Sequence, residues 1–177
     1  PKGIRHLVYF WNVLRRARYT DIIFAQDPVS VGLPAALAAK ILGKKFALKV
    51  VGDYAWEQGM QRFGVSDLLD EFLEKHYGVR VEILRRAQKM SARAANVIIV
   101  PSNYLQGVVA KWGIPEDKIR VIYNAFGGED SPLRSREEAR RDLGLSGSVA
   151  ISVGRLVPWK GFTTLIGIIP EIAKDIP

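Results

Sequence analysis

Cysteine is absent from the 177-residue sequence, which excludes a disulfide framework and any thiolate metal site and fits a reducing compartment. The apolar runs stay well short of the ~20 residues that a membrane-spanning helix needs. Histidine occurs only at His6 and His76, without metal-ligand spacing, so we predict no metal site. The sequence contains neither a G-x-G-x-x-G fingerprint nor a G-x-x-x-x-G-K-S/T phosphate loop. A nicotinamide dehydrogenase and a Walker-type nucleotide hydrolase therefore gain no support.

Charge is present in excess of one sign and is unevenly distributed. The net charge is +8, and residues 1–49 hold nine Lys/Arg against two acids, whereas residues 53–78 hold six acids against two bases. This imbalance favours an anionic partner, such as a phosphorylated ligand, an anionic membrane surface or nucleic acid. Nucleic-acid modules interleave aromatic residues with bases on one surface, and no such pattern is visible, so we expect no nucleic-acid partner.

Short apolar runs alternate with helical patterns along most of the chain. Strands separated by helices of this length indicate βαβ crossovers, and continuous apolar strands are typical of parallel sheets buried on both faces. We therefore predict an α/β fold, a Rossmann-like parallel sheet with helices on both faces. The predicted helices cover residues 4–17, 30–43, 66–77, 81–94 and 103–113, and the predicted strands cover 21–28, 44–52, 96–102 and 117–125. In the second helix Ser30 is the predicted cap, Leu33, Leu37 and Ile41 share a face, and Gly43 ends it.

The pattern breaks once, in the segment AFGGEDSPLRS, whose glycines, acids and proline are typical of a linker. A helix with a capping box, Ser135 to Glu138, then begins a second α/β unit. Residues 148–155 are its predicted strand and 161–175 a further helix. Since the chain opens and closes in mid-pattern, we expect it to be a piece of a longer protein. The predicted organisation is a first domain over 1–126, a linker or hinge over 127–134, and the start of a second domain over 135–177.

The order of three segments resembles the retaining glycosyltransferases of family 4, which have the GT-B fold. These segments are DIIFAQDPVSVGLPAALAAKILGKKFALKVVGD, ANVIIVPSNYLQGVVAKWGIPEDKIRVIYNAF and VGRLVPWKGFTTLI. The resemblance implies an incomplete two-domain chain, with an acceptor-side first domain and a donor-binding second domain. It also implies a nucleoside-diphosphate-sugar donor, transfer with retention of anomeric configuration, no metal or other cofactor, and domain closure about the linker.

The loop of the third segment carries the predicted donor site. In the family the arginine and lysine of this loop contact the donor diphosphate, and here they are Arg155 and Lys160. A guanidinium fork and a mobile ammonium suit a pyrophosphate and the charge that builds on it as the glycosidic bond breaks. Gly154 allows close backbone approach, and Gly161 opens a helix whose N-terminal amides favour an anion. The alternative is that both bases are solvated loop charges.

The first domain departs from the family at the segment LKVVGDYAWEQG, which has no histidine where relatives often carry one. Asp53 lies at the carboxyl end of a strand, where open α/β sheets place ligands, and is the predicted catalytic group. Equally, it could cap the next helix or finish a turn. Glu57 and Trp56 are candidates for an acceptor or sugar pocket, with a solvated face and a core or flap position as their respective alternatives.

Three functions remain open on these residues. The first is a retaining hexosyltransferase that moves a sugar from its nucleotide donor to a glycan, lipid-linked or small-molecule acceptor in polysaccharide biosynthesis. The second is a catalytically inactive GT-B protein that binds nucleotide or glycan. The third is a basic α/β module on an anionic membrane, suggested by the N-terminal bases and a basic helix. The predicted location is cytoplasmic, with peripheral contact at the cytoplasmic membrane face as an option. The basic helix contains Arg80, Arg85, Arg86, Lys89 and Arg93.

Overall fold

The computed structural model describes residues 2–125 and 134–175. The chain divides into two compact units, Pro1–Asn124 and Ala125–Pro177. The predicted linker, 127–134, lies outside the described residues except for its last position, and the acceptor and donor roles of the two units stay predictions. Among the described helices, none is both long and apolar enough to cross a membrane.

The first unit is a four-stranded parallel sheet with flanking helices, as the sequence predicts. The strands lie in the order β1-β2-β3-β4, and each pairs in parallel with its neighbour. Parallel pairing requires a crossover between successive strands, and the intervening helices supply it. In chain order the elements are α1 (Lys2–Ala17), β1 (Ile22–Ala25), α2 (Gly32–Leu42), β2 (Lys45–Lys49), α3 (Tyr54–Arg62), α4 (Leu69–Glu74), α5 (Val79–Ala94), β3 (Val97–Val100), α6 (Asn103–Lys111), a 3₁₀ helix (Glu116–Lys118) and β4 (Ile119–Val121).

Burial alternates along the strands, contrary to the expectation of burial on both faces. The register pairs Ile23 with Phe46, and Leu48 with Ile98, so these buried side chains share one face of the sheet. On the opposite face Phe24 of β1 is 50% exposed. Burial along these strands therefore alternates with a period of two residues. The sequence does not show this alternation, because both faces of the strands carry apolar residues.

Helix α2 packs through its small residues, among them Ala35, Ala36, Ala38 and Ala39, which are all buried. The face predicted from Leu33, Leu37 and Ile41 is the outer one, with Leu37 46% and Ile41 62% exposed. The small side chains on the buried face let α2 approach its neighbours closely. Large side chains on the buried face would prevent this approach. The prediction that Gly43 ends the helix is confirmed, since it adopts φ 64° and closes the last turn.

The predicted cap of α2 is wrong. Ser30 makes no capping hydrogen bond and instead donates its hydroxyl to the Tyr54 hydroxyl oxygen at 3.0 Å. The carboxylate of Asp27 accepts from amides in the loop before the helix, from Val29 at 2.8 Å and from Ser30. Asp27 follows β1 almost directly, so these bonds shape the loop that leads to α2 and do not cap the helix.

A second apolar cluster lies under the segment between α3 and α5. Phe72 and Val81 are buried there, with Trp56 and Tyr77 packed against them. The helix predicted over 66–77 is confined to α4, Leu69–Glu74, and the residues around it are irregular. We call the segment from Phe63 to Gly78, which contains α4 and the irregular residues on both sides of it, the flap.

The second unit contains α7 (Arg136–Asp142), a 3₁₀ helix (Pro158–Lys160) and α8 (Phe162–Asp175). The capping box is confirmed, since Ser135 Oγ accepts from the Glu138 amide at 3.2 Å and the Glu138 carboxylate accepts from the Ser135 amide at 2.9 Å. The strand predicted over 148–155 is wrong. A strand forms by pairing, and among the described residues of this unit no second strand is present. Its apolar residues are correspondingly open, with Val153 93% exposed.

Candidate functional site

The loops that follow β1 and β2 meet at the carboxyl edge of the sheet. The hydrogen bond between Ser30 and Tyr54 joins them. A small cavity of about 60 Å³ opens between the two loops. Open α/β sheets bind their ligands at this edge, so the residues of these loops form the candidate site of the first unit. The cavity is lined by Gln26, Asp27, Pro28, Val51, Gly52, Tyr54 and Glu57.

Asp53 caps helix α3, which is one of the two alternatives that the sequence leaves open. Its carboxylate accepts from the Trp56 amide at 2.9 Å, from Gln88 Nε2 at 3.1 Å and from Trp112 Nε1 at 3.0 Å. The side chain of Gln88 also accepts from the Ala55 amide at 3.0 Å. The first turn of α3 is therefore tied to α5 and to the end of α6 through one buried network.

The surroundings of Asp53 do not support the catalytic role that the sequence suggests. The residue is only 1% exposed, and its two oxygens are taken up by three donors from the protein. Burial raises the pKa of this carboxyl above its ordinary value of 3.8, although the hydrogen bonds from Trp56, Gln88 and Trp112 lower it. A group held in this way positions the backbone around it, and its catalytic role stays a prediction.

Glu57, one helical turn after Asp53, bends back to the carboxyl edge of the sheet. A Cβ atom built on Gly52 would lie 2.5 Å from Glu57 Oε1, so the carboxylate lies directly against the Gly52 backbone. Side chains in a helix point toward its N-terminus, which explains this direction. Glu57 is half-buried and lines the cavity between the two loops. Its position agrees with the sugar-pocket prediction, which remains a prediction.

Trp56 occupies the core alternative. Its indole Nε1 donates to the Asp67 carbonyl oxygen at 2.9 Å, and its ring packs against the apolar cluster beneath the flap. Trp56 thus holds the flap down, and its polar handle is directed to the protein backbone.

The flap is fastened by charged and polar groups as well. Tyr77 donates its hydroxyl to Asp67 Oδ2 at 2.5 Å, and Lys75 Nζ lies 2.9 Å from Asp67 Oδ1. These contacts lower the pKa of the Asp67 carboxyl, with the Tyr77 hydrogen bond as the largest cause. Arg85 donates to the carbonyl oxygens of Lys75, at 2.7 Å, and Phe72, and its guanidinium carbon lies 4.0 Å from the centre of the Phe72 ring.

This arrangement changes the interpretation of the basic helix, which is α5. Arg85 is engaged with the flap and with Glu82 at 3.0 Å, and its side chain is 11% exposed, so it is not available to a lipid surface. Arg80, Arg86 and Arg93 are exposed. A basic face of α5 therefore exists, but it is smaller than the sequence suggests.

Other polar residues at the carboxyl edge have local partners. Ser102 caps α6 by accepting from the Leu105 amide at 3.2 Å. Lys49, on β2, donates to Asn124 Oδ1 at 3.1 Å and so joins the second strand to the exit of the fourth. The network residues Gln88 and Trp112 were missed by sequence reasoning. Their only signal in the sequence is a polar or indole side chain on the apolar side of a helical pattern.

The predicted donor loop belongs to the second unit. Gly161 adopts φ 68° at the end of the 3₁₀ helix, and α8 begins directly after it, as predicted. A Cβ atom on Gly154 would lie 3.3 Å from the Phe162 ring, so the glycine allows close packing of the loop on the start of α8. Arg155 and Lys160, which both precede Gly161 in the chain, are exposed. Their contact with a diphosphate stays a prediction.

Among residues 2–125 and 134–175, no group of three or more histidines and acids is arranged to hold a metal ion.

Comparison with known proteins identifies the class. The profile of Glycosyltransferase Family 4 matches residues 1–126, and the chain belongs to this family. No curated protein matches it. Among solved structures, the chain is similar to HepE from Anabaena, in crystal structures with UDP, with UDP and glucose, and with UDP-glucose. The TM-scores are 0.63, 0.65 and 0.62, at 20%, 21% and 21% identity.

These matches cover 92% of this chain and 40%, 39% and 40% of the HepE chain. The chain therefore spans about 40% of the length of the solved relative. At this identity the likeness shows the fold, and it confirms the prediction of a GT-B type α/β architecture.

Proposed function

We propose that this chain is part of a glycosyltransferase that moves a sugar from a nucleoside-diphosphate donor with retention of anomeric configuration. The observation that carries the proposal is the family match over residues 1–126, which covers the unit with the parallel sheet. Support for a nucleotide-sugar donor comes from the fold shared with HepE, which was crystallised with UDP and UDP-glucose. The donor nucleotide and sugar are to be identified by experiment.

The donor diphosphate is held by Arg155 and Lys160 in this proposal. A planar guanidinium binds two phosphate oxygens at once, and the ammonium adds a mobile point charge. The turn that carries them is pre-shaped, because Gly161 supplies a backbone conformation that other residues rarely adopt. Both bases also stabilise the charge that develops on the leaving diphosphate, which allows transfer without a metal ion.

The acceptor is a glycan, a lipid-linked sugar or a small molecule, and the first unit provides its side of the site. The exposed arginines of α5 make peripheral contact with an anionic membrane a secondary part of the proposal. A cytoplasmic location is supported by the cysteine-free sequence, which suits a reducing compartment.

The proposal is tested on the full-length natural protein. Thermal protection by a panel of UDP- and GDP-sugars, with and without EDTA, selects the donor and tests metal independence. NMR of the product then gives its anomeric configuration, and retention is expected. Donor binding without release of nucleoside diphosphate would favour the inactive GT-B protein. Absence of both binding and release would favour the membrane module.

A further inference from the structure

The half-buried side chain of Glu57, in the first turn of α3, has a defined neighbour at the carboxyl edge of the sheet. It lies against the backbone of Gly52, at the end of β2, where any side chain on residue 52 would collide with it. Glu57 also lines the cavity between the loops after β1 and β2, together with Gln26 and Tyr54. Glu57 is therefore the acidic member of the α3 turn that faces the carboxyl edge of the sheet.

The buried network around Asp53 holds the first turn of α3, the backbone that carries Glu57. Asp53 caps α3 through the Trp56 amide, Gln88 holds both the Asp53 carboxylate and the Ala55 amide, and the Trp112 indole completes the set. The three contacts come from α3, α5 and the end of α6, so the first turn of α3 cannot tilt without breaking buried hydrogen bonds. A polar group on that turn is pre-organised, which reduces the cost of binding a ligand.

The chemistry of the cavity suits a hydroxyl group. A carboxylate accepts hydrogen bonds and donates none when ionised, and Gln26 and Tyr54 add neutral groups that both donate and accept. A phosphate would be attracted by basic side chains, and no lysine or arginine is among the residues that line the cavity. Sugar hydroxyls, which donate and accept at adjacent positions, match this set.

We infer that Glu57 contacts the substrate by accepting a hydrogen bond from a sugar hydroxyl, and that Asp53 is a positioning residue acting through Glu57. The inference rests on the proposed glycosyl transfer and gives the first unit its specific substrate contact. In this inference Asp53 is not the catalytic group. The buried carboxylate of Asp53 orders α3, and the half-buried carboxylate of Glu57 contacts the sugar.

The experiment uses the full-length protein and measures nucleoside diphosphate release from UDP- and GDP-sugars. One arm has water as the acceptor, and a second arm adds a panel of methyl glycosides. Glu57→Gln keeps the size of the side chain and removes its charge. We expect kcat/KM to fall about 10- to 100-fold, the range for a hydrogen bond to a charged group, with the melting temperature unchanged. A fall in both arms assigns the hydroxyl to the donor, and a fall confined to the glycoside arm assigns it to the acceptor.

Glu116→Gln is the matched control. Glu116 is exposed and begins the 3₁₀ helix before β4, at the amino edge of the sheet, so its loss should leave both arms unchanged. Gly52→Ala should reproduce the Glu57→Gln defect, because the new methyl group displaces the carboxylate. Asp53→Asn should lower both the melting temperature and kcat/KM, whereas Glu57→Gln lowers only the second.

The outcomes separate the inference from the proposed function. If the wild-type protein is active and Glu57→Gln leaves kcat/KM unchanged in both arms, the inference is overturned. The proposed transferase function is not affected by that result. A lower melting temperature with unchanged kinetics would likewise overturn it, by assigning Glu57 a helix-capping role only. Wild-type protein that neither binds nor turns over any donor would overturn the proposed function and this assignment with it.

Discussion

The indole Nε1 of Trp112 donates to Asp53 Oδ2 at 3.0 Å, joining two residues 59 positions apart in the sequence. Trp112 is 2% exposed and Asp53 1%, so the bond lies inside the core. This bond ties the end of α6 to the start of α3.

Trp112→Phe keeps most of the ring and removes the donor. We expect the free energy of unfolding to fall by about 1–3 kcal/mol, because a buried carboxylate oxygen loses one of its partners. Chemical denaturation followed by circular dichroism measures the change. Trp11→Phe is the control, since Trp11 is 58% exposed and should change stability by less than about 0.5 kcal/mol. Equal effects of the two substitutions would contradict the importance of the network.

Gly32, at the start of α2, is enclosed by backbone. A Cβ atom there would lie 2.3 Å from the Asp27 carbonyl oxygen and 3.1 Å from Ser91 Oγ. Gly32→Ala should therefore destabilise the protein by about 1–3 kcal/mol through overpacking. Gly107, in α6, has nothing within 4 Å of its would-be Cβ, and Gly107→Ala should stabilise by about 0.5–1 kcal/mol. If thermal denaturation showed that both substitutions stabilise the protein, or that both destabilise it, this description of α2 packing would be refuted.

The Tyr77–Asp67 hydrogen bond should make the stability of the protein depend on pH in the acid range. The bond lowers the folded-state pKa of Asp67 below its ordinary value of 3.8. Its contribution to stability is therefore fully present above that value and is lost as the pH falls through the lowered pKa. In Tyr77→Phe the pKa should rise toward 3.8, as measured by carbon NMR of the side-chain carboxyl during titration. Tyr19→Phe, at a 90% exposed position, should leave it unchanged. An Asp67 pKa equal in wild type and Tyr77→Phe would show that the hydroxyl is not the cause.

The sequence predicts the order of helices and strands in the first unit because each strand is a compact apolar run with clear turn residues on both sides. Gly43 and the Ser135–Glu138 capping box are local signals, set by backbone conformation and neighbouring side chains, and both are confirmed. The cap of α2 was misassigned because the Ser30 hydroxyl is directed to Tyr54, a partner 24 positions away that the local pattern does not reveal.

Features that depend on distant partners were beyond the sequence. The strand expected over 148–155 has the right residues, yet a strand also requires a neighbour, which the pattern of one segment cannot reveal. Asp53 could cap or catalyse as far as local sequence goes. Its burial comes from Gln88 and Trp112, 35 and 59 positions away, and no spacing rule joins these three residues.

We propose above all that this chain holds a nucleotide-sugar diphosphate through Arg155 and Lys160. The most direct test is calorimetric titration of the full-length protein with the donor that gives the strongest thermal protection, comparing wild type with Arg155→Ala/Lys160→Ala. Arg136→Ala/Lys174→Ala, which removes two exposed bases from the same unit, is the control. We predict that donor affinity falls at least about tenfold in the first variant, through loss of charge-assisted hydrogen bonds, and is unchanged in the second. Equal donor affinity in wild type and Arg155→Ala/Lys160→Ala would contradict the claim.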